Sequence, residues 1–200
     1  MSELGELYAQ IRECTLCPLA EARTRAVPGE GPEGPDIMFI GEAPGFHEDK
    51  SGRPFVGAAG RFLEELLAGI GLTRDQVYIA NVIKCRPPGN RDPLPFEIDA
   101  CKPYLDRQIE LLRPQMIVTL GRFSMARYFP GAKISDVHGK PRKIGGILYY
   151  PMFHPAAALH QPKYRATVEE DMKRIPQLLE EMDQIRDSEQ PEEAQQLSLF

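Results

Sequence analysis

Short apolar runs and longer amphipathic segments alternate along the chain, a pattern that predicts strands and helices in turn. The apolar runs are rich in β-branched and aromatic residues and each predicts a buried strand: DIMFI (36–40), VYIANVI (77–83), QMIVTL (115–120) and ILYYPMF (147–153). Between them, apolar residues recur every three or four positions, which predicts helices at 58–70, 95–112 and 122–129. Flanking helices are predicted at 4–14 and 168–185, the second interrupted by Pro176.

The alternation of strands with helices also predicts how the sheet is built. Parallel strands need a crossover between them, and helices in the crossovers cover both faces of the sheet. We therefore expect an α/β fold, a three-layer α/β/α sandwich with a mostly parallel four-stranded central sheet. A chain of 200 residues with 42% hydrophobic content can bury one substantial core, so we expect one folded domain over residues 1–186.

Composition and charge narrow the class of protein and its partners. No run approaches eighteen apolar residues and MSELGELYAQ lacks a signal pattern, so we expect a cytoplasmic protein with no membrane partner. The net charge of −5 conceals a basic middle, because residues 82–168 carry 14 basic and 6 acidic side chains. Local positive charge attracts phosphate, so a polyanionic partner is as compatible with this pattern as a merely solvated charged face.

Unusual residues follow the ends of the predicted strands. GEAPG follows the first strand, KC closes the second, GR follows the third and HP follows the fourth. Open α/β sheets bind ligands in the crevice at the carboxyl ends of their strands, so we expect these residues to share one site. The glycine-rich stretch at 41–60 would let the backbone approach a ligand closely.

The chain has four cysteines, of which Cys14 and Cys17 form a C-x2-C pair that is followed by Cys85 and Cys101. A disulfide framework is not expected in a reducing compartment, so the close pair suggests a metal site made of four thiolates. Zinc and an iron-sulfur cluster both accept such a ligand set, and the spacing does not choose between them. The spacing also allows four unrelated buried thiols.

Three motifs stand in a specific order behind the C-x2-C pair: GEAPGFHEDKSGRPFVGAAG, NVIKCRPPGNRDP and HPAAAL. Together they resemble the family 4 uracil-DNA glycosylases over about residues 4–180. The resemblance implies a monofunctional enzyme that flips uracil out of DNA and hydrolyses its N-glycosidic bond, which initiates base excision repair. It also implies a [4Fe-4S] cluster, with the ligands Cys14, Cys17, Cys85 and Cys101.

The resemblance assigns roles to three residues around the base. Phe55 would stack on the flipped uracil, although a place in the core would also explain an aromatic residue there. The amide of Asn81 would donate to uracil O4 and accept from N3–H, a pattern that cytosine reverses; a hydrogen bond at a strand end is the alternative. His154 would donate to uracil O2 as negative charge develops on the departing base.

The resemblance also implies how the attacking water is held. Glu42, with the backbone of Gly41 and Ala43, would line the pocket and position the water that attacks C1′ of the sugar. The best-known uracil-DNA glycosylases carry an aspartate where this sequence has Ala43. Three roles are therefore open to Glu42: general base, orienter of the water, or electrostatic stabiliser of the cationic sugar.

The loop HPAAALHQPKYR would press into the minor groove of uracil-containing DNA, single- or double-stranded. Leu159 would act as a wedge, with Lys163 and Arg165 on phosphates, whereas an ordinary strand-to-helix loop is the alternative. A sister group that resembles this family binds uracil-DNA covalently through a histidine on an inserted basic loop. Residues 86–100 contain no histidine, which favours hydrolysis. A non-catalytic iron-sulfur DNA-binding protein is the remaining rival.

The end of the chain differs in composition from the rest. Residues 187–195 are rich in Glu, Gln and Pro, which predicts a disordered linker after a domain that we expect to be monomeric. The final residues turn apolar and resemble the pentapeptide with which bacterial polymerases and repair proteins bind the sliding clamp. The predicted clamp-binding residues are Gln196, Leu197, Ser198, Leu199 and Phe200. A chance match, or packing of the tail on its own domain, is the alternative.

Overall fold

The computed structural model describes residues 2–189, which fold around one mixed five-stranded sheet. The strands are β1 (Ile37–Gly41), β2 (Tyr78–Asn81), β3 (Met116–Leu120), β4 (Arg142–Ile144) and β5 (Ile147–Met152). The helices are α1 (Glu3–Glu13), α2 (Leu19–Ala22), α3 (Phe46–Ser51), α4 (Ala58–Ala68), α5 (Pro95–Leu112), α6 (Arg122–Ala126), α7 (Ile134–Val137), α8 (Pro155–His160), α9 (Arg165–Lys173) and α10 (Ile175–Glu189). Short 3₁₀ turns occupy Arg74–Gln76, Pro88–Asn90 and Pro162–Tyr164.

The strand order in the sheet is β2-β1-β3-β5-β4. All neighbouring strands are parallel except β4, which runs antiparallel to β5. The predicted α/β class and the mostly parallel sheet are therefore confirmed. The predicted count of four strands is wrong, because β4 adds a fifth strand of three exposed residues, RKI, that has no apolar run by which it could be recognised.

Successive strand residues contribute to two separate apolar clusters, as expected when both faces of a sheet are buried. Phe39 and Val118 belong to one cluster with residues of α4, α9 and α10. Met38 and Ile117 belong to the other cluster with residues of α1 and α5. Helices therefore cover both faces of the sheet, which explains why the strands are apolar throughout instead of alternating with polar residues.

Two helix boundaries follow the sequence closely. The predicted helix at 95–112 is α5. The predicted interruption at Pro176 is the break between α9 and α10, where proline stands at the second position of the new helix and needs no amide hydrogen.

The last helix runs to Glu189, past residue 186, and the predicted clamp-binding residues 196–200 lie outside the described part of the chain. No helix within residues 2–189 is long and apolar enough to cross a membrane.

The segment between the C-x2-C pair and β1 crosses the outer edge of β2. The amide of Glu30 donates to the carbonyl of Ile79 at 2.9 Å, and the amide of Ile79 donates back to Glu30 at 2.7 Å. This single antiparallel bridge occupies backbone groups that an outermost strand would otherwise leave unpaired. It also brings the Glu30 side chain close to the loops that follow β1.

Candidate active site

A cavity of about 400 Å³ opens at the carboxyl ends of the strands. Asn81 is the last residue of β2, and His154 follows β5 and precedes α8; both line the cavity. Ala43 and Phe55, from the loops after β1, also line it. The structure thus brings together four of the six residues predicted to bind uracil, while Gly41 and Glu42 are not among the lining residues.

Gly41, the last residue of β1, lies directly against two lining side chains. A Cβ atom at this position would lie 2.4 Å from Oδ1 of Asn81 and 2.7 Å from the ring of Phe55. Contacts this short do not occur, so any larger residue would force the amide or the ring to move. The first glycine of GEAPG is explained by the close approach of these two side chains.

Phe55 has an unusual backbone conformation with a φ of 51°. A non-glycine residue in the left-handed region is strained by about 1–2 kcal/mol, so surrounding contacts must hold it. The guanidinium of Arg74 donates from Nη1 to the Phe55 carbonyl at 2.8 Å and from Nη2 to the Pro54 carbonyl. Arg74 is in turn paired with Glu30 at 3.1 Å, and a Cβ at Gly60 would lie 1.9 Å from the Phe55 carbonyl oxygen.

Glu48 joins the two loops that form the cavity. Its Oε1 accepts from the amides of Val56 and Gly57, both at 2.9 Å, and its Oε2 accepts from the amide of Gly45 at 3.1 Å. Sequence reasoning missed this residue. The signal was present, since a glutamate three positions after a helix-capping residue often binds the cap amide, and Gly45 caps α3.

The side chain of Asn81 is buried, with 2% of the residue exposed. Its Oδ1 has no hydrogen-bond partner among residues 2–189. Buried polar atoms are almost always paired, and leaving one unpaired costs about 1–3 kcal/mol. An unpaired acceptor beside an aromatic ring, on the wall of a cavity, is therefore suited to a ligand that offers a donor.

His154 is half-buried. The centroid of its imidazole ring lies 5.5 Å from the centroid of the Phe55 ring, and the two ring planes are inclined by 26°. Its Nδ1 accepts a hydrogen bond from the amide of Ala156 at 3.1 Å, so in the neutral ring the proton is on Nε2. Burial lowers the pKa of His154 from 6.5 to about 4, although Glu48 opposes the change. The ring is therefore a neutral donor through Nε2 at physiological pH.

Glu42 is half-buried, and its carboxyl has neighbours of both signs. Burial raises the pKa of this group above its usual value, the charge of Asp92 raises it further, and Arg122 lowers it. Arg122 is itself paired with Asp92. The predicted water-positioning residue therefore lies in a partly desolvated environment whose charges come from outside the predicted site.

Comparison with known proteins bears on this geometry directly. A profile described as the uracil DNA glycosylase superfamily matches residues 28–182, which include β1 to β5 and the whole cavity. The chain belongs to the uracil-DNA glycosylase superfamily. The predicted relationship is confirmed.

The uracil-DNA glycosylase relatives include several with the description "Type-4 uracil-DNA glycosylase". The one from Sulfurisphaera tokodaii is 50% identical over 188 residues, which cover 89% of this chain and 86% of the relative. The relative from Archaeoglobus fulgidus is 46% identical and covers 89% and 94% of the two chains. That from Thermotoga maritima is 45% identical over 86% of this chain and 93% of its own.

The residues predicted to contact DNA in this uracil-DNA glycosylase chain differ in their exposure and in the groups that they contact. Leu159 on α8 is 43% exposed, as a wedge would need to be. Lys163 lies over the ring of Tyr164, with its ammonium 4.9 Å from the centroid. Arg165 is paired with Glu169 at 2.9 Å, so its charge is already partly neutralised within the protein.

The four cysteines come from three distant parts of the chain and gather beside α5. Cys85 and Cys101 are buried, whereas Cys14 and Cys17 are half-buried. Burial raises the pKa of Cys101 to about 11, and the nearby charges of Cys85 and Cys17 add to the rise. Within the described residues, no group of three or more His, Cys, Asp or Glu side chains has an arrangement that could hold a metal ion.

Hydrogen-bond donors nevertheless point at two of the sulfur atoms. Nη1 of Arg23 donates to Sγ of Cys85 at 3.1 Å, and this positive charge lowers the pKa that burial raises. The amide of Leu16 donates to Sγ of Cys14 at 3.5 Å. Such donors favour thiolates over thiols.

Proposed function

We propose that this protein flips uracil out of DNA and hydrolyses the bond between N1 of the base and C1′ of the sugar, which initiates base excision repair. The observation that carries this function is the unpaired Oδ1 of Asn81 in the wall of the cavity, beside Phe55. Family membership supports the reaction, and the type-4 relatives support uracil as the base. An enzyme that acts on a base must extrude it into such a pocket.

Asn81 discriminates uracil from cytosine by its hydrogen-bonding pattern. Uracil donates from N3–H to Oδ1 and accepts at O4 from the amide nitrogen, whereas cytosine has an acceptor at N3 and a donor at C4. Cytosine would leave the buried Oδ1 unpaired and place its own acceptor against it. Sites built to pair with one polar pattern can reject the other by a factor on the order of 10⁴.

Phe55 provides a flat surface on which the extruded base stacks. Stacking on an aromatic residue contributes about 1–3 kcal/mol and does not depend on the identity of the base. Extrusion costs a few kcal/mol, so stacking offsets part of that cost. The ring can do this only if its backbone keeps the strained conformation that Arg74 and Gly60 support.

His154 stabilises the departing base as a neutral donor. When the glycosidic bond breaks, its electron pair stays on uracil and negative charge develops at O2. The Nε2–H of His154 donates to this oxygen, and a lowered pKa keeps the ring in the required neutral form. A water molecule positioned by Glu42 and the backbone of Gly41 and Ala43 adds its oxygen to C1′, and its proton neutralises the uracil anion.

We infer that Cys14, Cys17, Cys85 and Cys101 hold a [4Fe-4S] cluster. The ligand set fits, because the thiols are at least half-buried and Arg23 and a backbone amide donate to sulfur. A bound cluster would tie residues 14–17 to Cys85 and to α5, which contains Cys101.

Contacts outside the base pocket complete the proposal. Leu159 would enter the minor groove, and Lys163 would contact a phosphate, with Arg165 adding a weaker contact because it is partly neutralised. Residues 190–200, which follow α10, would act as a tether, whose last five residues bind the bacterial sliding clamp. This part of the proposal is supported by the sequence alone.

Incubation with a uracil-containing oligonucleotide followed by alkali tests the function. We expect strand cleavage at uracil and no cleavage of the matched thymine oligonucleotide. Asn81→Ala and His154→Gln should each slow cleavage. A complex that survives denaturing gel electrophoresis would instead indicate covalent binding, and tight binding without abasic sites would indicate a non-catalytic protein.

A further inference from the structure

A second cavity, of about 480 Å³, is lined by side chains with an excess of positive charge. Four arginines contribute to its wall, together with two hydroxyl side chains, and no acidic residue does; the polar lining residues are Arg12, Arg23, Arg25, Arg53, Thr24 and Ser51. Guanidinium groups that converge with hydroxyls on one cavity are suited to phosphate oxygens, which accept two hydrogen bonds from a single guanidinium.

Two of the four arginines are already used within the protein. Arg53 donates to both carboxylate oxygens of Glu30, at 2.7 and 2.8 Å. Arg23 donates to Sγ of Cys85 and to the carbonyl of Arg12. The side chains of Arg12 and Arg25 make no ion pair with any residue in the described range, so their charge is available to a ligand.

The loop that carries Arg25 is held firmly. Oδ1 of Asp49, a residue only 4% exposed, accepts from the amide of Thr24 at 2.8 Å and from that of Arg25 at 3.5 Å. Asp49 is part of α3, so the basic cavity and the active-site loop are fixed to the same helix. A cationic site built on such a support can bind one phosphate at a defined position.

Helix α3 links the two cavities. Residues at its start, Phe46 to Glu48, line the base pocket, and Ser51 at its end lines the basic cavity. A helix of six residues is about 9 Å long. Along the axis of a DNA duplex one strand advances about 3.4 Å per nucleotide, so a strand that runs alongside α3 would pass roughly two or three nucleotides between the two cavities.

We propose that this cavity, through Arg12 and Arg25, binds a backbone phosphate of the uracil-containing strand two or three nucleotides from the flipped base. The inference rests on the proposed function, since it takes the cavity at Asn81 as the base pocket. The bound phosphate would fix the register of the strand and leave the chemistry at C1′ unchanged. Free phosphate has the same chemistry and is the competing ligand.

A scan with neutral phosphate replacements tests the inference. Duplexes would carry 2′-fluoro-deoxyuridine, whose fluorine prevents cleavage by destabilising the cationic sugar, and one methylphosphonate moved along either strand. We expect affinity to fall about tenfold for a replacement two or three nucleotides from the uracil analogue, on its own strand only. In the Arg12→Gln/Arg25→Gln variant the same replacement should have no further effect, and the slope of log Kd against log salt should fall by about 1.

Arg142→Gln/Lys143→Gln is the matched control, because it also removes two exposed positive charges, but both residues lie on β4, outside both cavities. It should respond to the scan as the unmodified protein does. The inference is overturned if no position on the uracil strand is sensitive, if sensitivity lies on the complementary strand, or if inorganic phosphate binds the arginines while the scan is flat. The methylphosphonate scan of the unmodified protein decides the matter even if the double variant does not fold. Uracil excision, assayed separately on an unmodified oligonucleotide, would show whether the function itself had failed.

Discussion

Replacing Arg74 with glutamine should impair excision, although Arg74 supports the loop of Phe55 and is not itself proposed to contact the substrate. Arg74 is largely buried, with 14% of its side chain exposed, and it donates to the carbonyls of Phe55 and Pro54. Glutamine can reach at most one of these carbonyls and carries no charge for Glu30. The loop would then relax from the strained φ of 51° at Phe55.

The size of the effect follows from the lost contacts. A hydrogen bond from a charged donor contributes about 1.5–3 kcal/mol and a neutral one about 1 kcal/mol. Loss of both charged hydrogen bonds, with one neutral hydrogen bond in their place, would remove about 2–5 kcal/mol that favours the competent loop. This energy corresponds to a fall in kcat/KM of at least roughly 30-fold.

Two assays separate positioning from stability. Single-turnover excision measures the chemical step, and fluorescence of 2-aminopurine beside the uracil measures extrusion of the base. Glu64→Gln is the control, since Glu64 pairs with Arg74 at 3.3 Å but is half-exposed and does not contact the loop. It should excise uracil within about twofold of the unmodified rate, as expected for a surface ion pair. Wild-type excision and extrusion by Arg74→Gln would refute the reasoning.

Four further predictions concern other parts of the chain. Asn81→Asp should excise uracil more slowly and gain some activity on cytosine; retention of full uracil selectivity by Asn81→Ala would exclude recognition by the amide. The contribution of neutral His154 to excision should show no step between pH 7 and about 5 and should be lost only near pH 4, because burial lowers the pKa of that ring from 6.5 to about 4. A single-turnover pH profile with a step near 6.5 that disappears in His154→Gln would contradict this. Purified protein should be brown and contain iron and sulfide, and Cys85→Ala should lower its thermal unfolding temperature; stoichiometric zinc without iron after anaerobic purification would rule out a cluster. Deletion of residues 196–200 should abolish binding to a bacterial sliding clamp in surface plasmon resonance while leaving oligonucleotide cleavage unchanged, and equal clamp binding by both proteins would exclude the docking peptide.

The apolar pattern was sufficient to predict the elements that build the core. Each of the four predicted strands is found within two residues of its expected bounds, since a strand buried on both faces must be apolar throughout. The fifth strand, β4, has both side-chain rows exposed and pairs only through its backbone. A backbone pairing without buried side chains leaves no mark on the hydrophobic pattern.

The sequence predicted the residues that line the cavity at the strand ends, but it did not predict the residues that hold those residues in position. Asn81 and His154 end or follow strands, and the rule for parallel sheets places such residues together. Arg74 lies in a 3₁₀ turn about twenty positions from the loop that it supports, and nothing in its local sequence indicates that contact. Long-range contacts to backbone carbonyls depend on the folded path of the chain rather than on local spacing.

The bridge between Glu30 and Ile79 has a consequence for how copies of this protein behave in concentrated solution. An outermost strand with free amides and carbonyls can pair with another chain and start a growing sheet. Here β2 is shielded at one end of the sheet by the Glu30 segment, and β4 at the other end is short and carries Arg142 and Lys143, whose charges repel a like neighbour. Both edges of the sheet therefore oppose edge-to-edge aggregation: the Glu30 segment pairs with β2 at one edge, and positive charge protects β4 at the other.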